Sequence, residues 1–360
     1  MASDLSQRVA RLLCVGFKGT EVSPELRELV ARGVRSVVLF ARNVVEPEQV
    51  LALTQAIKAL SAEPIAVAVD QEGGPVRRLR AGFSQVPAMR ALGNADAALA
   101  ERTGHMLGRE LRAVGIDWNF APVLDVDTNP DNPVIGKRAF SRSAQRVAEL
   151  GVALARGLER ASVAACGKHF PGHGDTEHDS HLDLPRLVHP LSRLDQVELV
   201  PFAAAVTAGI ASIMSAHVVF SELDAEFPAT LSPRVLRGLL RERLGYAGLV
   251  VSDDLEMSAI VEHYGIESAV LRGLTAGVDC FLVCHTAERM HAAIDTTLRA
   301  VEQSELDASL IDAALDRQRH FFGRWVQPAP AQLDRSALRC PEHLELEATL
   351  ARLSQTIEEG

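Results

Sequence analysis

Gly248-Leu249-Val250-Val251-Ser252-Asp253-Asp254-Leu255-Glu256-Met257 drives an apolar, β-branched run straight into two adjacent carboxylates. Such a run reads as a buried strand, and a strand apolar on both faces has to be covered on both. Seven further runs of this kind occur at 12–17, 34–41, 64–70, 116–123, 162–170, 211–218 and 278–284. Most intervals between them place apolar residues three and four apart, predicting helices at 47–60, 97–114, 144–160, 233–243 and 258–276. Strand and helix in alternation imply a parallel sheet, and eight units favour its closure into an α/β, (β/α)8 TIM-type barrel. An open doubly wound sheet is the weaker fit, because no glycine-rich phosphate fingerprint follows the first strand.

The barrel is expected over 1–326, followed by a linker and C-terminal helical extension over 327–360. Pro328-Ala329-Pro330 marks the linker, and Leu346, Leu350, Leu353 and Ile357 fall on one helical face, which reads as a structural dock.

Composition narrows the function classes. With 47% hydrophobic and 23% charged residues over 360, the chain is of ordinary globular type, long enough to bury a sizeable core. A net charge of -10 without a basic stretch argues against a nucleic-acid partner, which would need clustered Lys and Arg. Cys14, Cys166, Cys280, Cys284 and Cys340 are odd in number and mostly lie in apolar segments, so they read as reduced core residues. The apolar patch at 9–17 is short and broken by Arg11, and no run reaches the roughly 20 apolar residues of a membrane span. A cytoplasmic protein is expected; the oligomeric state is not legible.

Polar residues gather where strands end: Asp70-Gln71-Glu72-Gly73-Gly74, Asp125-Val126-Asp127, Lys168-His169, His217 and Ser252-Asp253-Asp254. In a barrel these ends share one face, the face where barrel enzymes keep their chemistry. Asp253, ending a buried strand, reads as a working carboxylate, whereas Asp254 reads as the cap of the next helix. His217 reads as a hydrogen-bonded structural residue. Cys280 and Cys284 share one side of a strand and read as core.

The densest polar segment is Lys168-His169-Phe170-Pro171-Gly172-His173-Gly174-Asp175-Thr176-Glu177-His178-Asp179-Ser180-His181, with four of the chain's 12 histidines. Two chemistries compete for it. One is a metal site built on His169, His173, His178 and His181. The other is acid/base catalysis, with Asp179 orienting the His181 ring and favouring its charged form. Spacing alone does not separate them.

These two segments together resemble the family 3 glycoside hydrolases, and within them the bacterial β-N-acetylhexosaminidases of peptidoglycan recycling. The loop matches the K-H-F-P-G-H-G-D-T-x-x-D-S-H signature of that subgroup, and 248–253 matches the family's nucleophile strand. The resemblance spans roughly residues 10–320 and leaves the tail uncovered.

It implies Asp253 as nucleophile of a retaining mechanism and His181, held by Asp179, as general acid/base. Lys168, His169, Asp70, Arg78 and Arg138 are the implied substrate contacts, with neither metal nor cofactor. The implied substrate is terminal β-linked N-acetylglucosamine on a muropeptide. Pro75 and Ala139 depart from the usual Arg and Ser, which weakens the carry-over to nearby loop contacts. A histidine in place of a second carboxyl suits both halves of a retaining cycle, since its ordinary pKa of about 6.5 lies close to neutral pH. The loop, with Gly172 and Gly174, is expected to move over the substrate. Phosphorolysis stays open because a neutral imidazole repels phosphate less than a carboxylate does. A β-glucosidase, a metallohydrolase and a barrel that only binds sugar also remain.

Overall fold

Eight parallel strands close into a barrel in this computed structural model, which describes residues 2–177 and 184–358, with side chains over 4–177 and 184–355. They are β1 (Leu13–Val15), β2 (Ser36–Leu39), β3 (Ala66–Val69), β4 (Trp118–Asn119), β5 (Ala164–Phe170), β6 (Ser212–Ser215), β7 (Leu249–Asp254) and β8 (Cys280–Val283). Every strand pairs with its sequence neighbours, and β1 seals against β8 through Leu13↔Phe281, Cys14↔Leu282 and Val15↔Val283. All eight fall inside the runs read from the sequence.

Two packed layers explain why those runs are continuously apolar. Cys14, Val38, Ala68, Cys166, Met214 and Val251 point into the barrel, while alternate residues such as Val15, Val37, Val67, Ile213 and Val250 face the helices. Cys280, Leu282 and Cys284 belong to the interior set, so the two cysteines do share a side. The side-chain period of two is thus present, but both faces are buried. At the floor, Trp118 sits edge-on to Phe120 at 4.8 Å, donates Nε1–H to Ser212 Oγ at 2.7 Å, and is covered by Phe321 of helix Ala308–Trp325.

Helices Pro24–Arg32, Pro47–Lys58, Ala97–Ala113, Ala144–Arg160, Leu199–Thr207, Arg234–Arg243, Gly265–Ala276 and Ala287–Glu302 surround the barrel. Two local expectations need correction. Residues 258–276 form two helices, Ser258–Val261 and Gly265–Ala276, because Gly265 takes a φ of +73° that interrupts the helical path. The run at 116–123 pairs regularly only over β4, since Pro122 has no amide to give to the ladder. Beyond the barrel, helix Pro341–Glu358 buries Leu346 and Leu350 against the outer core, with Leu353 partly buried beside them. Among the described residues, no helix is long and apolar enough to cross a membrane.

Candidate active site

The carboxyl ends of β3, β5 and β7, joined by the turn at Gly136–Arg138, surround a cavity of about 340 Å³. Its wall includes Asp70, Glu72, Arg78, Arg138, Lys168, His169, His173 and Asp253. A larger hollow of about 810 Å³ lies at the opposite end of the barrel, where its charges are already paired, as in Arg8 with Asp312 and Arg11 with Glu63.

Four sequence-expected residues, Asp70, Arg78, Arg138 and Lys168, come together with Glu72 as a charge network on the polar side of the cavity. Lys168 Nζ stands 2.9 Å from Asp70 Oδ1 and 2.6 Å from Glu72 Oε1. Arg138 grips the same Glu72 carboxylate with two nitrogens, at 3.0 and 2.8 Å. Arg78 reaches Asp70 at a looser 3.4 Å. Burial works against the Glu72 charge, but Arg138 and Lys168 overcome it and hold this carboxyl far below the usual range. The same pairing keeps Arg138 and Lys168 protonated against their own burial. Glu72 was visible in the strand-end motif but was not singled out; its signal was a second carboxylate two residues beyond Asp70.

His169 is fixed by Asp125, fully buried at the end of another polar cluster. The Asp125 carboxylate lies 2.7 Å from His169 Nδ1 and accepts the amides of His169 and His173 at 3.1 and 2.7 Å. His173 Nδ1 meets Thr176 Oγ1 at 2.9 Å, and burial, assisted by neighbouring His169, pulls its pKa down to about 4. Both rings therefore spend Nδ1 within the protein, and among the described residues no three His, Cys, Asp or Glu side chains cluster as metal ligands.

Asp253 projects from the end of β7. Burial raises its pKa, but His169, His217, the Asp254 amide and Lys168 together outweigh that cost and keep it ionised. The amide contact is direct: Asp254 N–H donates to Asp253 Oδ1 at 2.8 Å, and the side chain lines the cavity. Asp254 is not the cap expected of it. It accepts Glu256 N–H at 3.0 Å in an Asx turn and pairs with His285 Nε2 at 3.1 Å, while Met257 opens the next helix. His217 is buried, held between Thr230 Oγ1 at 2.8 Å and the Asp254 carbonyl at 3.1 Å, as a structural histidine would be.

Asp179 and His181 lie outside the described residues, as does His178. The segment leading to them is firmly seated. Asn132 Nδ2 donates to the His173 carbonyl at 2.8 Å, Thr128 Oγ1 donates to Asp175 Oδ1 at 2.7 Å, and His189 Nε2 lies 2.7 Å from Asp175 Oδ2. Gly174 runs so close to the Val126 backbone that a Cβ would collide with it, and Gly172 packs on Glu198. Both glycines serve close packing at the root of the segment.

The glycosyl hydrolase family 3 N terminal domain matches residues 4–319. A β-hexosaminidase of Thiobacillus denitrificans is 44% identical over 284 residues, 77% of this chain and 79% of that protein. One of Stenotrophomonas maltophilia is 38% identical over 314 residues, 85% of this chain and 91% of that protein. A family 3 β-N-acetylglucosaminidase from Paenibacillus superposes with a TM-score of 0.94 at 42% identity, over 97% of this chain and 68% of that one. NagZ from Neisseria gonorrhoeae, solved in complex with N-trifluoroacetyl-D-glucosamine, superposes with a TM-score of 0.81 at 32% identity, over 95% and 97% of the two chains.

Proposed function

The chain belongs to glycosyl hydrolase family 3 and is a glycoside hydrolase, and from that premise we propose that it is a retaining β-N-acetylhexosaminidase acting on muropeptides. Terminal β-linked N-acetylglucosamine is the sugar removed, in the cytoplasm, by a catalytic unit over 1–326 that precedes a helical extension over 327–360. The observation that carries this reading is the ionised Asp253 carboxylate, with one oxygen held by the Asp254 amide, facing the Lys168, Arg138, Arg78 and Asp70 network across one cavity. The β-hexosaminidase relatives and the N-acyl glucosamine held by NagZ support the choice of sugar.

Asp253 Oδ2 attacks the anomeric carbon as the glycosidic C–O bond breaks, forming a glycosyl ester. His181, paired with Asp179, delivers its proton to the departing oxygen. In the second half-reaction the neutral ring takes a proton from water, whose oxygen bonds to the anomeric carbon while the ester C–O bond breaks, freeing Asp253. Arg78, Arg138, Lys168, Asp70 and His169 hold the sugar; the fixed pairing of Arg138, Lys168 and His169 counts because orientation is paid for in the folded state rather than during reaction. No step needs a metal or cofactor.

The test is release of p-nitrophenol from the β-N-acetylglucosaminide and the β-glucoside, with and without phosphate and chelator. Fast release from the N-acetyl substrate alone, yielding free sugar in every condition, supports the proposal. Preference for the glucoside, sugar 1-phosphate as product, or loss of activity with chelator would each contradict it.

A further inference from the structure

Helix Pro341–Glu358 lies beyond residues 4–319, the span of the family match. Its polar contacts converge on the segment that carries Arg78. Glu110, buried in helix Ala97–Ala113, accepts the Ser84 amide at 2.8 Å and hydroxyl at 2.6 Å. From the tail the same carboxylate accepts the Arg339 amide at 3.0 Å and meets His343 Nδ1 at 3.0 Å. One helical turn further, Glu347 accepts the Gln85 amide at 3.0 Å.

Gln85 passes this restraint on. Its side-chain oxygen accepts Arg77 Nη1 at 2.6 Å, and its side-chain nitrogen donates to the Arg80 and Phe83 carbonyls at 2.8 Å. Arg77 Nε donates to the Gly74 carbonyl at 2.8 Å, clasping the hairpin formed by Gln71–Gly73 and Val76–Arg77. Arg78 comes next, with its own amide on Gln71 Oε1 at 2.9 Å and its guanidinium on the cavity wall. That guanidinium is held by the protein only loosely: its contact with Asp70 is 3.4 Å, and its buried Nε has no hydrogen-bond partner among the described residues. The Phe40 ring lies 5.7 Å from it on one side; beyond these two contacts its aim is set by its backbone, and the backbone by Arg77, Gln85 and the tail.

We propose that the C-terminal helix is a brace that positions Arg78 for substrate, with Glu347 and Gln85 as positioning residues. The proposal rests on Arg78 being a substrate contact, as read above. Loosening the brace lowers the fraction of molecules with Arg78 correctly aimed, which weakens apparent binding by that fraction. Bond making falls on Asp253 of β7 and on His181; among the described residues the brace makes its hydrogen bonds to Gln85 and Glu110 and none to β7, so turnover is spared.

The test is steady-state kinetics on p-nitrophenyl β-N-acetylglucosaminide for wild type, Glu347→Ala, Glu347→Gln, Arg78→Ala and the double variant Arg78→Ala/Glu347→Ala. Glu347→Ala is expected to raise KM by about three- to tenfold with kcat within about twofold. Glu347→Gln keeps an oxygen for the Gln85 amide and restores the wild-type KM. In the Arg78→Ala background, Glu347→Ala has no further effect on KM, because the two act through one contact. A wild-type KM in Glu347→Ala, with or without a lower Tm, overturns the brace, as does an additive KM in the double variant. If Arg78→Ala alone leaves KM unchanged, the assignment of Arg78 itself fails and the brace with it, a result distinct from an impaired Arg78→Ala beside an unaffected Glu347→Ala.

Discussion

The Lys168 ammonium stands 2.6 Å from the Glu72 carboxylate, with both side chains almost sealed from solvent. Neither charge is tolerable there alone, and the two strands' ends are locked by the pair. Asp70, Arg78 and Arg138 take their places around it. Polarity at the sugar end of the cavity is thus built into the fold before any ligand arrives.

Removing Glu72 should be costly for stability as well as binding. Glu72→Gln takes from Arg138 its paired carboxylate and leaves Lys168 with Asp70 alone, and breaking a buried pair in this way costs up to about 3–5 kcal/mol. Because the folded-state pKa is depressed, this stabilisation is present above the ordinary carboxylate range and is lost as pH falls through the folded value. Urea unfolding at pH 7 should therefore show the full gap between wild type and variant, with the gap narrowing only in strong acid. Equal stability at pH 7 would show that the network contributes little.

His173 is held neutral by burial, with a pKa of about 4 against 6.5 for the free side chain. The unfolded chain takes up its proton first, so this residue makes the protein lose stability as pH falls from about 6.5 to 4, by about 3 kcal/mol in total. Denaturation from pH 7 to pH 4.5 should show a steeper loss for wild type than for His173→Gln. An imidazole resonance of His173 titrating near 6.5 would contradict the assignment.

Glu159 behaves in the opposite sense. Burial raises its carboxyl to about 7, while its Oε1 accepts the Ala211 amide at 3.0 Å. With the folded value above the unfolded one, its contribution to stability is complete in acid and is lost as pH rises through 7. Glu159→Gln keeps the acceptor and removes the charge. It should stabilise the protein at pH 8 by on the order of 1 kcal/mol, discounted for partial exposure, and have little effect at pH 5. Thermal melts at the two pH values decide; a destabilised variant at pH 8 would refute it.

The barrel was legible because eight apolar runs cannot all be buried except by helices on one side and each other on the other, and the residues at their ends then share a face. That logic brought Asp70, Lys168, His169 and Asp253 together without coordinates. It did not reveal Glu72 or Asp125, because a carboxylate that neutralises a buried Lys or fixes a His looks, in sequence, like any polar residue at the start of a loop. Asp254 was misread as a cap because the sequence does not show His285 arriving from β8 to pair with it. Helix 258–276 was drawn too long because a glycine with positive φ and a glycine within a helix look alike until neighbours are in place. The link from Glu347 through Gln85 to Arg77 spans 270 residues of chain and leaves no periodic signal.

The central claim, attack by Asp253, is tested most directly by mass spectrometry of a trapped intermediate. In His181→Ala, a dinitrophenyl β-N-acetylglucosaminide needs no proton on its leaving group, so glycosylation proceeds while hydrolysis of the ester lacks its base. The account predicts a protein heavier by one N-acetylhexosaminyl residue, with the added mass on the peptide containing Asp253 and absent in Asp253→Asn/His181→Ala. An adduct on another residue, or rapid turnover in Asp253→Asn without any adduct, would contradict it.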